Sequence, residues 1–209
     1  MKTILLTAAL LLATTSVNAT EWQPSCNSKY SKWFGKYTFT VKLGEVGGCK
    51  SDKKPKRYAN SGWDWSERSE VLTKNKKMFG KWEYSATIDI DRNCKPAYRN
   101  TLFQVHSGGS GTPPSWIGIN GDNKFRTNLS NGQTNFNVPL EPFELTAKID
   151  ATNKEVKVDY FVNDKFVVST HHVAESTYND LFFKFGIYRV NANCDIKQTY
   201  KKVKLKRVK

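Results

Sequence analysis

The chain has 209 residues, an aromatic content of 13% and a formal net charge of +14. The aromatic content argues against an intrinsically disordered chain, and the length is enough for one domain with its own hydrophobic core. A positive field of this size attracts polyanions, so nucleic acid and acidic polysaccharide are the first candidate partners. A lysine surplus that only keeps the protein soluble is the alternative, and charge alone does not separate the two.

The N-terminal segment has the pattern of a secretory signal peptide. Lys2 provides a positive charge, residues 4–13 are apolar, and Val17 and Ala19 occupy the −3 and −1 positions of a cleavage site. We therefore expect residues 1–19 to be a signal peptide and residues 20–209 to be one exported domain, extracellular or periplasmic. An exported protein meets acidic polysaccharide rather than nucleic acid. No later stretch is apolar enough to cross a bilayer, so no membrane span is expected.

Period-two alternation of apolar and polar residues dominates the rest of the chain, and helical periodicity is scarce. Asn163 and Asp164 form a typical two-residue hairpin turn between two such segments. Many short strands with this spacing predict an all-β protein, an antiparallel β-sandwich or jelly roll with few or no helices. The predicted strands are 37–43, 82–90, 103–106, 116–120, 143–149, 156–162, 165–169, 181–188 and 201–208.

Two long loops and four cysteines complete this outline. Residues 44–62 form a basic loop without clear periodicity, and residues 107–114 form a loop rich in Gly and Pro that is a candidate wall of a cleft. An even number of cysteines in an exported chain suggests two disulfides, for which three pairings are possible. We favour Cys26–Cys49 with Cys94–Cys194, and free thiols are the alternative.

Three segments expose polar groups on one face of predicted strands. Alternate residues of a strand point to the same side, so Arg68 shares a face with Glu70, and Gln104 shares one with His106. In the third segment Lys184, Gly186 and Tyr188 share a face. The intervening residues Phe103, Val105, Phe183, Phe185 and Ile187 would fill the core. If the three strands are neighbours, their polar groups can hold a carboxylate and move a proton.

These segments resemble those of the alginate lyase-type polysaccharide lyases, family 7 and its jelly-roll relatives such as glucuronan lyases. That family carries Arg-Ser/Thr-Glu, Gln-Ile/Val-His and Tyr-Phe-Lys-Ala-Gly-x-Tyr in this order. The present chain has Arg-Ser-Glu at 68–70, Gln-Val-His at 104–106 and Phe-Phe-Lys-Phe-Gly-Ile-Tyr at 182–188. It departs from the family pattern at Leu72, Phe182 and Arg189, where an Arg, a Tyr and an Asn are usual. The resemblance implies a concanavalin-like jelly roll.

The resemblance also implies β-elimination of a uronate polymer, with alginate as the first expectation, and Gln-Val-His is associated in that family with mannuronate-rich substrate. Arg68 and Gln104 would neutralise the substrate carboxylate, and Tyr188 and His106 would supply the base and the acid. Further candidates for substrate binding are Lys184, Glu70, Trp116 and Arg189. No cofactor or metal is expected, and the protein is expected to act as a monomer.

Other interpretations remain open at this stage. Glucuronan or another polyuronate is an alternative substrate, and a non-catalytic, lectin-like carbohydrate-binding module would explain the fold and the charge equally well. Trp63, Trp65 and Trp116 could line substrate subsites or lie in the core. Asp89 and Asp91 begin a segment like a calcium loop, but Cys94 takes the glycine position.

Overall fold

The structure is a computed structural model that describes residues 21–45, 47–50, 52, 56–58, 62–64, 66–91, 93–94, 99–108, 112–128, 133–190 and 194–209. The expected signal peptide and Trp65 lie outside these residues. The described residues contain no helix, and their strands form two stacked antiparallel sheets, which confirms the predicted all-β sandwich. No helix among them is long and apolar enough to span a membrane.

The first sheet, here called the site sheet, has seven strands. In spatial order they are β1 (Trp22–Pro24), β6 (Ser66–Thr73), β15 (Phe182–Val190), β8 (Arg99–His106), β9 (Ser115–Ile119), β10 (Lys124–Thr127) and β11 (Gln133–Asn137). Strands distant in sequence are therefore neighbours, because β15 lies between β6 and β8. The three polar segments of the sequence occupy this central trio.

The second sheet, here called the back sheet, also has seven strands. In spatial order they are β14 (Lys165–Val173), β13 (Glu155–Val162), β12 (Phe143–Ala151), β7 (Gly80–Ile90), β16 (Ile196–Arg207), β3 (Lys36–Val41) and β2 (Tyr30–Trp33). A separate hairpin is formed by β4 (Lys56–Tyr58) and β5 (Gly62–Asp64). Asn163 and Asp164 both have positive φ, 48° and 62°, as the predicted hairpin turn requires.

The core lies between the two sheets and is rich in aromatic rings. Tyr84 of β7 stacks on Phe103 of β8 with ring centroids 4.3 Å apart, and Phe185 of β15 packs against Tyr200 of β16 at 5.0 Å. The residues predicted to face inward from β8 and β15 are all fully buried. Burying each such side chain contributes about 2 kcal/mol, which is enough to hold the alternate residues on the outer face.

Two strands begin earlier than the sequence predicted. β16 starts at Ile196 instead of 201, and β8 starts at Arg99 instead of 103. In both cases polar residues that are buried in the fold, Gln198 in β16 and Asn100 in β8, interrupted the apolar alternation. The early part of β16 is interior, because it pairs with β3 on one side and β7 on the other.

Both predicted disulfides are present. Cys26–Cys49 ties the connection between β1 and β2 to the loop that follows β3. Cys94–Cys194 ties the segment after β7 to the segment before β16. The first disulfide therefore anchors the basic loop that the sequence singled out.

Candidate active site

The three polar segments are brought together on the outer face of the site sheet. Across β6 and β15, Arg68 lies opposite Tyr188, and across β15 and β8, Lys184 lies opposite Gln104. His106 lies opposite Phe182 at the end of the same face. The predicted convergence of the polar side chains on one face is thus observed.

A buried ion cluster lies at the centre of this face. The guanidinium of Arg68 donates from Nε and Nη2 to the two carboxylate oxygens of Asp52 at 2.9 and 3.0 Å, and from Nη1 to Glu70 at 2.5 Å. The side chain of Arg68 is 8% exposed, and both carboxylates are buried. Burial would lower the pKa of Arg68, but the carboxylates of Glu70 and Asp52 outweigh it and raise that pKa above its usual value.

Asp52 was missed by the sequence analysis, which treated residues 44–62 only as a basic loop. Asp52 is the one acidic residue between Val46 and Trp63 and lies three positions after Cys49. The disulfide to Cys26 holds this turn in place, together with two hydrogen bonds. The Cys49 N–H donates to the Asp52 carboxylate, and the Asp52 N–H donates to the Cys49 carbonyl oxygen. A single carboxylate next to a cysteine in a basic loop was the available signal, but its partner could not be identified without the fold.

Glu70 links the guanidinium to the neighbouring strand. Its second carboxylate oxygen accepts from the Gln104 amide at 2.5 Å, while its first is bonded to Arg68. Glu70 is itself almost fully buried, so these two charge-assisted bonds hold Gln104 and Arg68 in fixed orientations. Glu70, a candidate for substrate binding in the sequence, thus has both carboxylate oxygens bonded to protein side chains and acts as the partner that orients Arg68.

His106 is half-buried and is held in one tautomer. Its Nδ1 lies 2.7 Å from the Ser107 carbonyl oxygen, which only accepts, so Nδ1 carries the hydrogen and Nε2 carries the lone pair. The ring stacks on Phe182 with centroids 5.2 Å apart. Burial lowers the pKa of His106 to about 3, and the positive charges of Lys184 and Arg68 act in the same direction. His106 is therefore neutral near neutral pH, with an unprotonated Nε2.

Tyr188 lies between two guanidinium groups. Arg68 lies 4.3 Å from the centroid of its ring and Arg99 lies 5.2 Å from it. The phenol oxygen is 3.2 Å from the hydroxyl of Ser66. The positive potential around the ring favours negative charge on the phenol oxygen.

Lys184 shares the face with Tyr188, as predicted, but it is nearly buried. Burial lowers its pKa, the carboxylate of Glu70 opposes that shift, and the guanidinium of Arg68 adds to it. Its ammonium group lies 5.5 Å from the ring of Phe182. Lys184 therefore contributes positive potential beside His106 without projecting into solvent.

Trp116 and Arg99 extend the face beyond β8. Trp116 lies opposite Gln104, so its side chain is on the outer face of the site sheet rather than in the core between the sheets. It is 5% exposed there. The guanidinium of Arg99 stacks over its indole at 4.8 Å. Arg99 was not a predicted site residue, because the start of β8 was not recognised. The side chains of Trp63 and Trp65 lie outside the described residues.

Arg189 is a correction, because the sequence analysis treated it as a substrate-binding candidate. It follows Tyr188 and therefore points to the opposite side of β15, where it is 0% exposed. It forms an ion pair with Glu67 at 2.5 Å and donates to the Cys194 carbonyl oxygen at 2.6 Å. Burial lowers its pKa, and the carboxylate of Glu67 opposes the shift. Arg189 is a structural residue and cannot reach a substrate on the outer face.

The described residues offer neither a metal site nor, in the cleft beyond Ser107, a second site for a polyanion. Among the described residues, no group of three or more His, Cys, Asp and Glu could hold a metal ion. A cleft of about 360 Å³ lies beyond Ser107 and is lined by Ser107 and residues 172–180. Glu175 and Asp180 are its charged carboxylates, and its lining contains no Lys or Arg, so its charge does not suit a polyanion.

Comparison with known proteins identifies the fold. No protein-family model matches the chain, and no curated protein matches it in sequence. A sialidase matches with a TM-score of 0.56 and 10% identity over 90% of this chain, but over only 17% of the sialidase.

Several alginate lyases match over most of their length. AlgAT5, from polysaccharide lyase family 7, matches with a TM-score of 0.54 and 13% identity, covering 86% of this chain and 82% of that one. An alginate lyase from Klebsiella pneumoniae matches with a TM-score of 0.57 and 14% identity, covering 87% and 85%. The chain therefore has the fold of the family 7 alginate lyases, in agreement with its sequence motifs.

Proposed function

We propose that this protein is a polysaccharide lyase that cleaves a uronate polymer, alginate in the first instance, by β-elimination. The observation that carries the proposal is the placement of His106, Gln104 and Tyr188 on adjacent strands with their side chains on one face. His106 is held neutral with Nε2 as a lone-pair acceptor, and Tyr188 has cations against its ring. This is a set of groups that can remove one proton and supply another.

The reaction breaks two bonds and forms one double bond in the sugar. A base removes the proton from C5, the electron pair forms a C4–C5 double bond, and the bond from C4 to the linking oxygen breaks. Negative charge accumulates on the carboxylate next to C5 in the transition state. Hydrogen-bond donors aimed at that carboxylate stabilise it, and losing one such donor typically costs about 3 kcal/mol of the barrier.

Tyr188 is assigned the proton transfers on a mannuronate residue. As the phenolate it takes the C5 proton, and as the phenol it returns a proton to the departing oxygen. The guanidinium groups against its ring stabilise the charged form. His106 supports this residue with its neutral imidazole and is the candidate base for a guluronate residue, whose C5 proton lies on the opposite side of the sugar.

Gln104 is assigned the contact with the substrate carboxylate, since its amide group lies on the outer face in an orientation fixed by Glu70. Arg68 is assigned a positioning role. Three of its five N–H groups are already bonded to Asp52 and Glu70, and its charge is matched by two carboxylates. Arg68 therefore holds the ring of Tyr188 rather than serving as the main carboxylate-binding group.

Export of the protein is part of the proposal. Two disulfides form in oxidising compartments, and the N-terminal segment has signal-peptide features. We propose that residues 20–209 act outside the cytoplasm as one domain and as a monomer. A high-molecular-weight acidic polysaccharide is accessible there.

The second candidate function is a carbohydrate-binding module without catalysis. The match to a small part of a longer sialidase favours it, since the same sandwich can be one segment of a larger enzyme. The burial of Lys184 and the ion pairs of Arg68 are also compatible with a rigid binding face. Cleavage of a polyuronate separates the two functions.

The test is to incubate the protein with alginate, mannuronate-rich and guluronate-rich fractions, and glucuronan. Unsaturated products are followed by their ultraviolet absorbance. A lyase raises the absorbance on at least one polymer, and the preferred polymer identifies the sugar. Binding in a sedimentation or calorimetric assay, with no absorbance change on any polymer, would favour the binding module.

Tyr188→Phe is the decisive variant. We expect turnover to fall by about three orders of magnitude or more, because the variant lacks the hydroxyl that carries the proton, while binding persists. Tyr30→Phe on the back sheet is the matched control and should keep wild-type activity. A fully active Tyr188→Phe protein would refute the assigned role.

A further inference from the structure

We propose that Arg99 is the guanidinium that binds a sugar carboxylate on this face, in addition to the groups named above. The inference deepens the proposed function and rests on it for the class of ligand, an acidic polysaccharide. Arg99 is the first residue of β8 and lies outside the three sequence motifs.

The register places Arg99 on the same face as Tyr188. Tyr188 is opposite Thr101 of β8, and Arg99 is two residues further along that strand, so both side chains emerge on the outer side. The guanidinium carbon lies 5.2 Å from the ring centroid of Tyr188 and 4.8 Å from that of Trp116. Arg99 therefore bridges Tyr188 of β15 and Trp116 of β9.

The two guanidinium groups beside Tyr188 differ in how their charge is balanced. Arg68 is bonded to two buried carboxylates, so the cluster of Arg68, Asp52 and Glu70 carries no net positive charge. Arg99 forms no ion pair with any residue in the described part of the chain, and its Nε is buried without a hydrogen-bond partner. Asp52 and Glu70 together balance the charges of Arg68 and of the neighbouring Lys184, so the positive charge left over beside Tyr188 is that of Arg99.

The way Arg99 is held leaves it able to bind a carboxylate. Stacking on aromatic rings uses the flat faces of a guanidinium, while its N–H donors lie in the plane and point outward from the edge. Two donors on one edge match the two oxygens of a carboxylate. Trp116 and Tyr188 therefore orient the guanidinium of Arg99 without using its N–H donors. In Arg68, by contrast, Nε and Nη2 already donate to the carboxylate of Asp52.

A buried donor without a partner is also costly, by about 1–3 kcal/mol relative to a satisfied one. A bound carboxylate would supply acceptors to the guanidinium of Arg99, whose Nε has none within the described part of the chain. A neutral sugar would offer only hydroxyl groups and no charge. Arg99 thus favours acidic over neutral polysaccharide, and its contribution is to affinity for the carboxylate.

The experiment measures binding in the Tyr188→Phe background, so that the ligand is not consumed. The ligands are a mannuronate tetrasaccharide and the same tetrasaccharide with its carboxylates reduced to alcohols. Arg99→Gln should weaken binding of the acidic ligand about 10- to 100-fold and change binding of the reduced ligand less than about twofold. Arg99→Lys keeps the charge but loses the fork, and should weaken acidic binding about threefold to tenfold.

Lys201→Gln is the matched control, because it removes one positive charge from an exposed position of the back sheet. Its effect on acidic binding should stay within about twofold and disappear at high salt. Thermal unfolding establishes that each variant is folded. If Arg99→Gln does not fold, Arg99→Lys decides, and wild-type affinity in Arg99→Lys overturns the inference.

Three outcomes would overturn the inference in the folded variants. These are equal affinity of Arg99→Gln and Lys201→Gln for the acidic ligand, equal weakening of both ligands, and a Tyr188→Phe protein that binds neither ligand. The proposed function is tested separately by product absorbance. Acidic binding that depends on Arg99 without cleavage by the wild type would refute the lyase and leave the Arg99 site standing, whereas cleavage with no Arg99 effect would do the reverse.

Discussion

The outer faces of the two sheets carry similar charged residues in opposite environments. On the site sheet Arg68, Glu70 and Lys184 are almost fully buried, and Arg68 is bonded to both Glu70 and Asp52. On the back sheet the lysines of β16 are exposed to solvent, at 197, 201, 202, 204 and 206. Of these five, Lys206 forms an ion pair among the described residues, with the partly exposed Glu83.

This difference shows that the density of positive charge does not locate the site. An exposed lysine costs little and contributes little, whereas a buried charge must be matched by hydrogen bonds and an opposite charge. A fold that maintains a buried ion cluster on an outer face does so at a cost in stability. Such a cluster indicates a functional surface more strongly than a row of solvated lysines does.

The largest expected effect comes from neutralising one carboxylate of the buried cluster. Glu70→Gln leaves Arg68 and Lys184 with one fewer negative charge in a desolvated environment, and we expect a loss of about 3 kcal/mol in the free energy of unfolding. Glu83→Gln on the back sheet is the control and should cost less than about 1 kcal/mol. Denaturant titration measures both. Equal losses would remove the distinction between the two faces.

The next prediction concerns Gly186, where β15 approaches β6 closely beneath the site. Gly186 has φ of +129°, and a Cβ there would lie 2.5 Å from the Ser69 carbonyl oxygen and 2.8 Å from the Cα of Glu70. Gly186→Ala should cost about 3 kcal/mol and shift Tyr188, which lies two residues further on. Gly35→Ala is the control, with φ of +71° and nothing within 4 Å, and should cost about 1 kcal/mol. Similar melting temperatures for the two variants would contradict this account.

The pH dependence of stability tests the neutral state of His106. Its pKa is about 3 in the folded protein and 6.5 as the ordinary value, so between these two pH values the unfolded state binds more protons. The contribution of neutral His106 is therefore complete above pH 6.5 and is lost as the pH falls, at up to about 1.4 kcal/mol per pH unit. His106→Gln should flatten the slope between pH 6.5 and 5. An unchanged slope would show that folding does not lower the pKa of His106.

The smallest effect is expected from the back sheet. A triple variant with Gln at positions 197, 201 and 204 should change the free energy of unfolding by no more than about 0.5 kcal/mol for each substitution. Its kcat should equal that of the wild type, and kcat/KM should fall modestly at low salt only, because long-range steering is screened. A loss of kcat at high salt would place a functional surface on the back sheet.

Much of the fold could be predicted because its signals are local. Alternation in 82–90, 143–149 and 156–162 reports one buried face directly, and the positive φ values at Asn163 and Asp164 follow from the turn chemistry. The starts of β8 and β16 were missed because Asn100 and Gln198 are polar residues that the interior accepts. Arg189 was a substrate-binding candidate because it follows Tyr188 in the motif, although the alternation of strand residues directs it inward.

The sequence by itself determined the strand pattern and which residues share a strand face, because both depend on residue type and on spacing of a few positions. Only the tertiary structure decided that β15 lies between β6 and β8, that Asp52 occupies the fork of Arg68, and that Arg99 stacks beside Tyr188. These contacts join residues that lie from 16 positions apart, for Arg68 and Asp52, to 120 positions apart, for Arg68 and Tyr188. Their formation depends on how the two sheets close over a shared core, and no local pattern encodes that closure.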